Sequence, residues 1–473
     1  MPSIVLFTND LRLADNPALV AAVAESPVVP LAVLDDEAHG DWRPGPAARA
    51  WRAASLAALA RGLEARGGWL VVRTGATSEE VLAVARETGA RTVHLAGAIE
   101  PERAAWQQRL AKALAAEGMR VVQHPPNLLH EPGTLTTTDG RPYLVFTAFL
   151  RAFERRVALE APLPAPSRIP VPPRRPASEP LPEPAPDAPP LMLETFTPGE
   201  DGARTRANAF FADAVAEYGD RRDLPAIDGT SRLSPHLAFG EVSARELYWR
   251  ALRATEADPA FAAGALSFAR QLVWREFAYH LLASHPATPT TPLRPEFARF
   301  PWSYDAAAFD AWRAGQTGFP LVDAGMRELA ATGWMHNRVR MVVASFLTKD
   351  LLVPWQDGAR WFWERLADAD LADNTLGWQW VAGCGADAQP FFRIFNPAGQ
   401  SRRFDAAAYV RRWVPELARV PDRWIHAPWE APEPELAAAG VRLGETYPHP
   451  IVDHAAARAR ALDAYRALRA GGR

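Results

Sequence analysis

The sequence predicts two domains of different class: a parallel α/β domain first, then a larger all-α domain, joined by a long proline-rich linker. Three observations carry this. Five short apolar runs alternate with alanine-rich helical stretches in the first part of the chain. Proline becomes dense between Pro162 and Pro198. From about Ala203 the pattern is helical to the end. At 473 residues the chain is too long for one ordinary domain. The expected boundaries are 1–130 for the α/β domain, 131–202 for the linker and 203–473 for the all-α domain.

The apolar runs are Ser3–Phe7, Val28–Leu34, Trp69–Val72, Thr92–Leu95 and Arg120–Gln123. Between them lie helical stretches such as Ala48–Arg66 and Ser78–Thr88. Alternation at this spacing argues for a Rossmann-like parallel sheet covered on both faces. No GxGxxG follows the first strand, so a dinucleotide site is not indicated there. In the linker, APLPAPSRIPVPPRRPASEPLPEPAPDAPP cannot form a helix or a central strand and reads as extended chain. Beyond it, ARTRANAFFADAVAEYG has helical spacing, with Gly219 as a stop. The final helix reads HAAARARALDAYRALRA, with no long polar tail after it.

Composition narrows the function. A hydrophobic content of 48% supports large cores. The single cysteine, Cys384, excludes a disulfide framework within the chain and any four-cysteine metal or iron–sulfur site. The opening MPSIVLFTND has no basic segment leading into an apolar one, and no apolar run reaches membrane-spanning length. A cytoplasmic protein is expected. Net charge is −3, so any nucleic-acid contact must come from a local patch. Lys112 and Lys349 are the only lysines among 52 basic residues.

Four segments carry candidate chemistry. Thr230-Ser231-Arg232-Leu233-Ser234-Pro235 places three hydroxyls and an arginine before a Ser-Pro helix start, with Ser234 suited to cap and Pro235 to the first turn. Such a start favours an anion, although an ordinary capped helix is the commoner reading of the motif alone. Phe268, Gln271, Trp274 and Arg275 form a helical stripe that mixes aromatic and polar groups. Trp334, Asn337, Arg338 and Met341 have the spacing of one helical face, and His336 beside them reads as a structural histidine. Finally, DADLADNTLGWQWVAGCGADAQPFFRIFNP brings Asp368, Asp370, Asn374, Trp378, Trp380 and Arg393 close together. On a helix Asn374 and Trp378 share a face, while Trp380 points about 200° away from Trp378. Two indoles on different faces with an amide one turn below suggest two jobs around one flat ligand.

These segments together resemble the photolyase and cryptochrome family over essentially the whole chain. The resemblance implies a non-covalent flavin adenine dinucleotide (FAD). Its diphosphate would be held by Thr230, Ser231, Arg232, Leu233 and Ser234, with Tyr218, Phe268, Arg340, Asp368, Asp370 and Asn374 as further cofactor contacts. Arg340 would pair with Asp368 beside the isoalloxazine, and Asn374 would face its N5. Trp302, Trp355 and Trp378 match the family's electron-transfer chain. Trp274 and Trp380 match the indoles that pack on a lesion, with Gln271, Asn337 and Met341 around them. Arg222, Arg275, Arg338 and Arg393 match DNA contacts.

The implied activity is blue-light-driven repair of cyclobutane pyrimidine dimers in UV-damaged DNA by a monomeric deoxyribodipyrimidine photo-lyase. Two departures are notable. Gln271 stands where cyclobutane enzymes usually carry Glu and six-four enzymes Gln, whereas Asn337 and Met341 are of the cyclobutane type. DLRLADNPAL resembles the family's opening signature, but Leu6, Phe7 and Thr8 replace its usual Trp-Phe-Arg. The family's α/β domain holds an antenna chromophore. The stretch Ala48–Leu59, with Trp51 and Ser55, favours 5,10-methenyltetrahydrofolate over a deazaflavin. The alternatives are a cryptochrome-type photoreceptor and a six-four photolyase.

Overall fold

The computed structural model describes residues 1–25 and 27–470. The closing helix His454–Ala470 lies within them, while the absence of a tail concerns residues outside them. The five apolar runs form one parallel sheet of β1 (Ser3–Phe7), β2 (Val28–Leu34), β3 (Val71–Thr74), β4 (Thr92–Ala96) and β5 (Arg120–His124), in the order β3-β2-β1-β4-β5. Helices α1 (Pro17–Glu25), α2 (Pro46–Glu64), α3 (Thr77–Thr88) and α4 (Pro101–Ala116) make the crossovers.

Side chains alternate along a strand, and the sheet uses both faces. Val5, Phe7, Ala32 and Val72 pack on one side with Trp51, Leu56 and Leu63 of α2. Ile4, Leu6, Val29, Leu31 and Val71 pack on the other with Val81, Val84, Leu110 and Leu114 of α3 and α4. Burial on both faces explains why these strands read as continuous apolar runs.

The proline-rich stretch is pinned to this domain. Ile169 N–H donates to Arg66 O and Val28 N–H to Pro170 O. At the edge strand β3, Glu179 N–H donates to Val72 O at 2.9 Å, and Val72 N–H donates to Ser178 Oγ at 3.0 Å. Proline-rich chain, with few N–H groups of its own, thus covers an otherwise open sheet edge. Within the span read as linker, α5 (Phe146–Arg156) is helical. Its Phe146, Phe149 and Phe153 belong to the same core as Phe268 and Phe277.

The rest is helical: α6 (Met192–Thr195), α7 (Glu200–Ala209), α8 (Tyr218–Arg221), α9 (Ser234–Ala238), α10 (Ala244–Ala257), α11 (Pro259–Ser284), α12 (Ala306–Ala314), α13 (Pro320–Thr332), α14 (Asn337–Ser345), α15 (Trp355–Arg365) and α16 (Leu371–Ala382) head the series. Gly219 lies inside α8 and stops nothing; the helix before it passes into a π-turn at Phe210–Ala214. No helix among the described residues is long and apolar enough to cross a membrane.

Buried polar joints fasten the two domains. The DLRLADN signature is one of them: Arg12 donates Nη1 to Gly240 O at 3.0 Å, and Arg245 grips Asp15. Glu200 accepts from Leu13 N–H at 2.8 Å and Ala14 N–H at 3.1 Å. The second joint is Glu241, fully buried. Its Oε1 accepts from Trp51 Nε1 (3.0 Å), Ser55 Oγ (2.5 Å) and Gly199 N–H (2.7 Å), and its Oε2 meets His236 Nδ1.

Candidate functional site

Helix α16 is the backbone of the site, with α11, α14 and α15 packed against it. Asp370 is its N-cap: Oδ1 accepts from Ala372 N–H at 3.0 Å and Asp373 N–H at 3.1 Å. Its Oδ2 accepts from Tyr279 Oη at 2.7 Å. Asp370 thus spends both oxygens holding the helix in place. Just before it, Asp368 Oδ2 takes Arg340 Nη2 at 2.7 Å, the pair expected from the sequence. The other oxygen, Asp368 Oδ1, is buried without a partner. A buried acceptor left open at a helix start calls for a donor from a ligand.

One turn into α16, Asn374 donates Nδ2 to Ala359 O of α15 at 3.0 Å. Between Asp370 and Asn374 sits Asp373, which the sequence reading passed over. Asp373 is exposed, and crowding by the surrounding chain and by the Asp370 carboxylate pushes its carboxyl up to about 8. Arg275 balances these acids. It lies 3.8 Å from Asp370 and 3.9 Å from Glu276, donates Nη1 to Asn127 O at 2.7 Å, and is only 9% exposed. The structure therefore places Arg275 beneath the site with its groups engaged, not on an outer DNA-facing surface.

The Thr230–Ser234 run is braced from three sides. Arg206 donates to Thr230 O, Ser231 O and Asp228, and Asp228 also pairs with Arg232 at 3.1 Å. Arg232 has φ +49°, a conformation costly for a residue that carries a Cβ and tolerated where surroundings enforce it. Ser234 does not cap α9. Leu233 occupies the cap position, and Ser234 Oγ accepts from Trp334 Nε1 at 3.1 Å. Trp334 also carries the Arg232 guanidinium on its face at 4.9 Å. Trp334 is therefore not on the α14 face with Asn337, Arg338 and Met341. Gly333, at φ +70°, ends α13, and α14 begins only at Asn337. Spacing counted across a helix end misled the sequence reading. His336 is the N-cap of α14, accepting from Arg338 N–H, and burial pushes its imidazole down to about 4.

Tyr218 is buried against Phe210 and Phe268, with Arg222 over its ring at 5.8 Å. Arg338 donates to Asp223 at 2.7 Å and lies over Phe404. Gln271 and Trp274 are half-buried on α11; Trp274 stacks on Phe146 at 3.6 Å and 8°, which covers one indole face. Asn337 is exposed, Met341 and Trp380 are half-buried, and Arg393 is exposed. Trp302, Trp355 and Trp378 join one apolar cluster. The ring neighbours of Trp378 are Phe362 at 5.0 Å and Trp312 at 6.3 Å. Trp312, buried on α12, went unremarked because nothing distinguishes it in sequence from sixteen other tryptophans.

A cavity open to solvent lies at the carboxyl ends of β1 and β2. Asn9, Asp35, His39, Arg52, Arg103 and Trp106 line it. Arg52 is half-buried with Nε unpartnered, and desolvation together with Arg103 pushes it down to about 10. The α2 residues that favoured folate, Trp51 and Ser55, point instead into the Glu241 joint; Arg52 is the one from that stretch lining the cavity.

Comparison with known proteins shows the family. Residues 3–167 match the family described as DNA photolyase, and residues 268–467 the FAD binding domain of DNA photolyase. A deoxyribodipyrimidine photo-lyase of Agrobacterium fabrum is 44% identical over 99% of this chain and 98% of its own. Cryptochrome-1 of Arabidopsis thaliana is 39% identical over 98% of this chain and 70% of its own. A bacterial class III photolyase structure from Agrobacterium tumefaciens superposes with a TM-score of 0.93, at 44% identity over 99% of this chain and 98% of its own. A Synechocystis cryptochrome structure does so at 0.89, with 30% identity over 98% of each chain. With relatives this similar along its whole length, the chain belongs to the photolyase/cryptochrome family, and its helical half carries that family's FAD-binding domain.

Proposed function

We propose that the protein is a deoxyribodipyrimidine photo-lyase that repairs cyclobutane pyrimidine dimers in UV-damaged DNA, with FAD as its working cofactor. The observation that carries this reading is the Arg340–Asp368 pair with its open Asp368 Oδ1. Trp274, Asn337, Met341 and Trp380, the residues expected to meet the lesion, come from three helices, α11, α14 and α16. A buried acceptor suits the N–H edge of a flavin ring, and the braced Thr230–Ser234 run suits its diphosphate. Bound FAD supplies the photochemistry, a light-driven electron lent to the dimer and recovered after ring opening.

The chain's own residues bind and orient. Trp274 and Trp380 stack against an extruded dimer, each stacking contact contributing about 1–3 kcal/mol. Asn337 and Gln271 hydrogen-bond base edges, and Met341 supplies apolar contact. Trp302, Trp355 and Trp378 carry electrons to the cofactor. The solvent-open cavity of the α/β domain, crowded by Arg52 and Arg103, takes an anionic antenna chromophore: methenyltetrahydrofolate, with deazaflavin as the competing ligand in reconstitution.

Illumination of the flavin-loaded protein with defined lesions tests this. Cyclobutane dimers should be split and six-four lesions left intact. Repair of six-four lesions alone would mean that Gln271 outweighs Asn337 and Met341. Flavin binding with repair of neither lesion would favour the photoreceptor reading, to which the Arabidopsis and Synechocystis cryptochromes are similar.

A further inference from the structure

Of 52 basic residues, all but two are arginine. Lys112 sits on α4, and Lys349 is wholly buried in the π-turn Phe346–Asp350 that follows α14. Burial of an ammonium is costly unless it is paired. Its neighbour Asp350 meets His454 of the closing helix through Oδ1 and keeps Oδ2 buried without a partner, so its charge favours the ammonium without a hydrogen bond to it. Arg460 of the same helix donates to Asp350 O at 2.6 Å. Cys384, facing it from beyond α16, brings no compensating charge, because burial pushes the thiol up to about 12. Arg294 and Glu296 are the other charges that act on that thiol.

What Lys349 does touch is one surface turn. Its Nζ is 3.5 Å from Arg393 O and 5.0 Å above the Phe391 ring. Gln389 Nε2 donates to the same Arg393 O at 2.5 Å. Phe391 is itself wedged from the other side by Tyr465 of the closing helix, stacked at 4.8 Å and 13°. The turn is thus held from inside at a carbonyl and a ring. Its next residues face outward: Phe392 is 57% exposed, and Arg393 is exposed beside it.

We propose that Lys349 is the positioning residue of the turn Gln389–Arg393. Its ammonium, seated between the Arg393 carbonyl and the Phe391 ring, keeps Phe392 and Arg393 turned toward DNA, so affinity for the damaged strand follows the charge on this one amine. The inference rests on the DNA-repair reading above.

Both contacts weaken when the proton leaves, since a neutral amine has no attraction for a ring face. Burial pushes Lys349 down to about 7, with Asp350 opposing. The amine is charged below that pH and neutral above it. An unfolded lysine titrates near 10.4, so between about pH 7 and 10 the unfolded chain binds the extra proton and stability rises with pH. At neutral pH Lys349 therefore costs stability while serving the turn.

The test uses flavin-loaded protein and an oligonucleotide with one thymine dimer, at pH 6 and pH 8.5 and constant salt. Wild type should bind about tenfold more weakly at pH 8.5. Lys349→Met should bind weakly at both values, with unchanged FAD content and an unfolding midpoint equal to or above wild type. A wild type without the pH step overturns the proposal with no variant needed. So does a Lys349→Met protein that keeps the step, or one whose affinity and midpoint fall together. If wild type binds no damaged DNA at either pH, the repair reading itself falls, and this inference with it.

Discussion

Asp373 shows what a single side chain can hide. No motif marks it, yet it stands between Asp370 and Asn374 with its carboxyl pushed up to about 8 by desolvation and Asp370. Its raised value means that the folded protein holds a proton the unfolded chain releases near pH 3.9. The stability it lends is full below about pH 4 and is lost as pH rises toward 8. Asp373→Asn should flatten that decline, read as urea midpoints of the apoprotein at pH 5 and pH 8; an unchanged slope would place the titration elsewhere. The Arg340–Asp368 pair was legible because both residues sit in recognisable motifs. The roles of Ser234, Trp334 and Arg275 were not, because each is decided by a partner distant in sequence: an indole a hundred residues away for Ser234, the Arg232 guanidinium for Trp334, and Asn127 with Asp370 for Arg275.

At the scale of elements, the sheet was readable since strands buried on both faces leave unbroken apolar runs. Helix α5 was not, because its Phe146, Phe149 and Phe153 stripe is short and stands just before proline-dense sequence. Nor was the joint between α2 and Glu241, in the loop after α9. Trp51 and Ser55 read as antenna-facing residues, whereas they donate to Glu241 across the domain boundary. A hydrogen bond to a charged acceptor contributes about 1.5–3 kcal/mol. Ser55→Ala should cost roughly that much, measured by denaturant unfolding, because the buried carboxylate loses one of its donors. A change under about 0.5 kcal/mol would mean that water or Gly199 compensates fully.

For the whole molecule, a net charge of −3 leaves DNA binding to a few arginines. They are not equal. Arg338 is neutralised by Asp223 at 2.7 Å, while Arg393 stands exposed on its turn. Arg393→Ala should lower the slope of log affinity against log salt by about one unit, and Arg338→Ala by less. Equal losses would show that Asp223 releases Arg338 on contact with DNA.

The polar joints of Arg12, Asp15, Glu200 and Glu241 also bear on how the protein can be divided. Arg12, Asp15 and Glu241 are buried charges and Glu200 a half-buried one, and each has at least one partner across the boundary. Cutting the chain at the linker would leave Arg12 and Asp15 in one fragment and Glu241 in the other, stripped of the groups that make their burial tolerable. The proline-rich crossing, sewn along β3, would have to be torn away as well. The α/β half is therefore not a cartridge that can be lifted out and exchanged. A working chimera must import both sides of every joint, and grafting another α/β domain onto this helical half means redesigning α2 and the Gly199–Glu241 segment together.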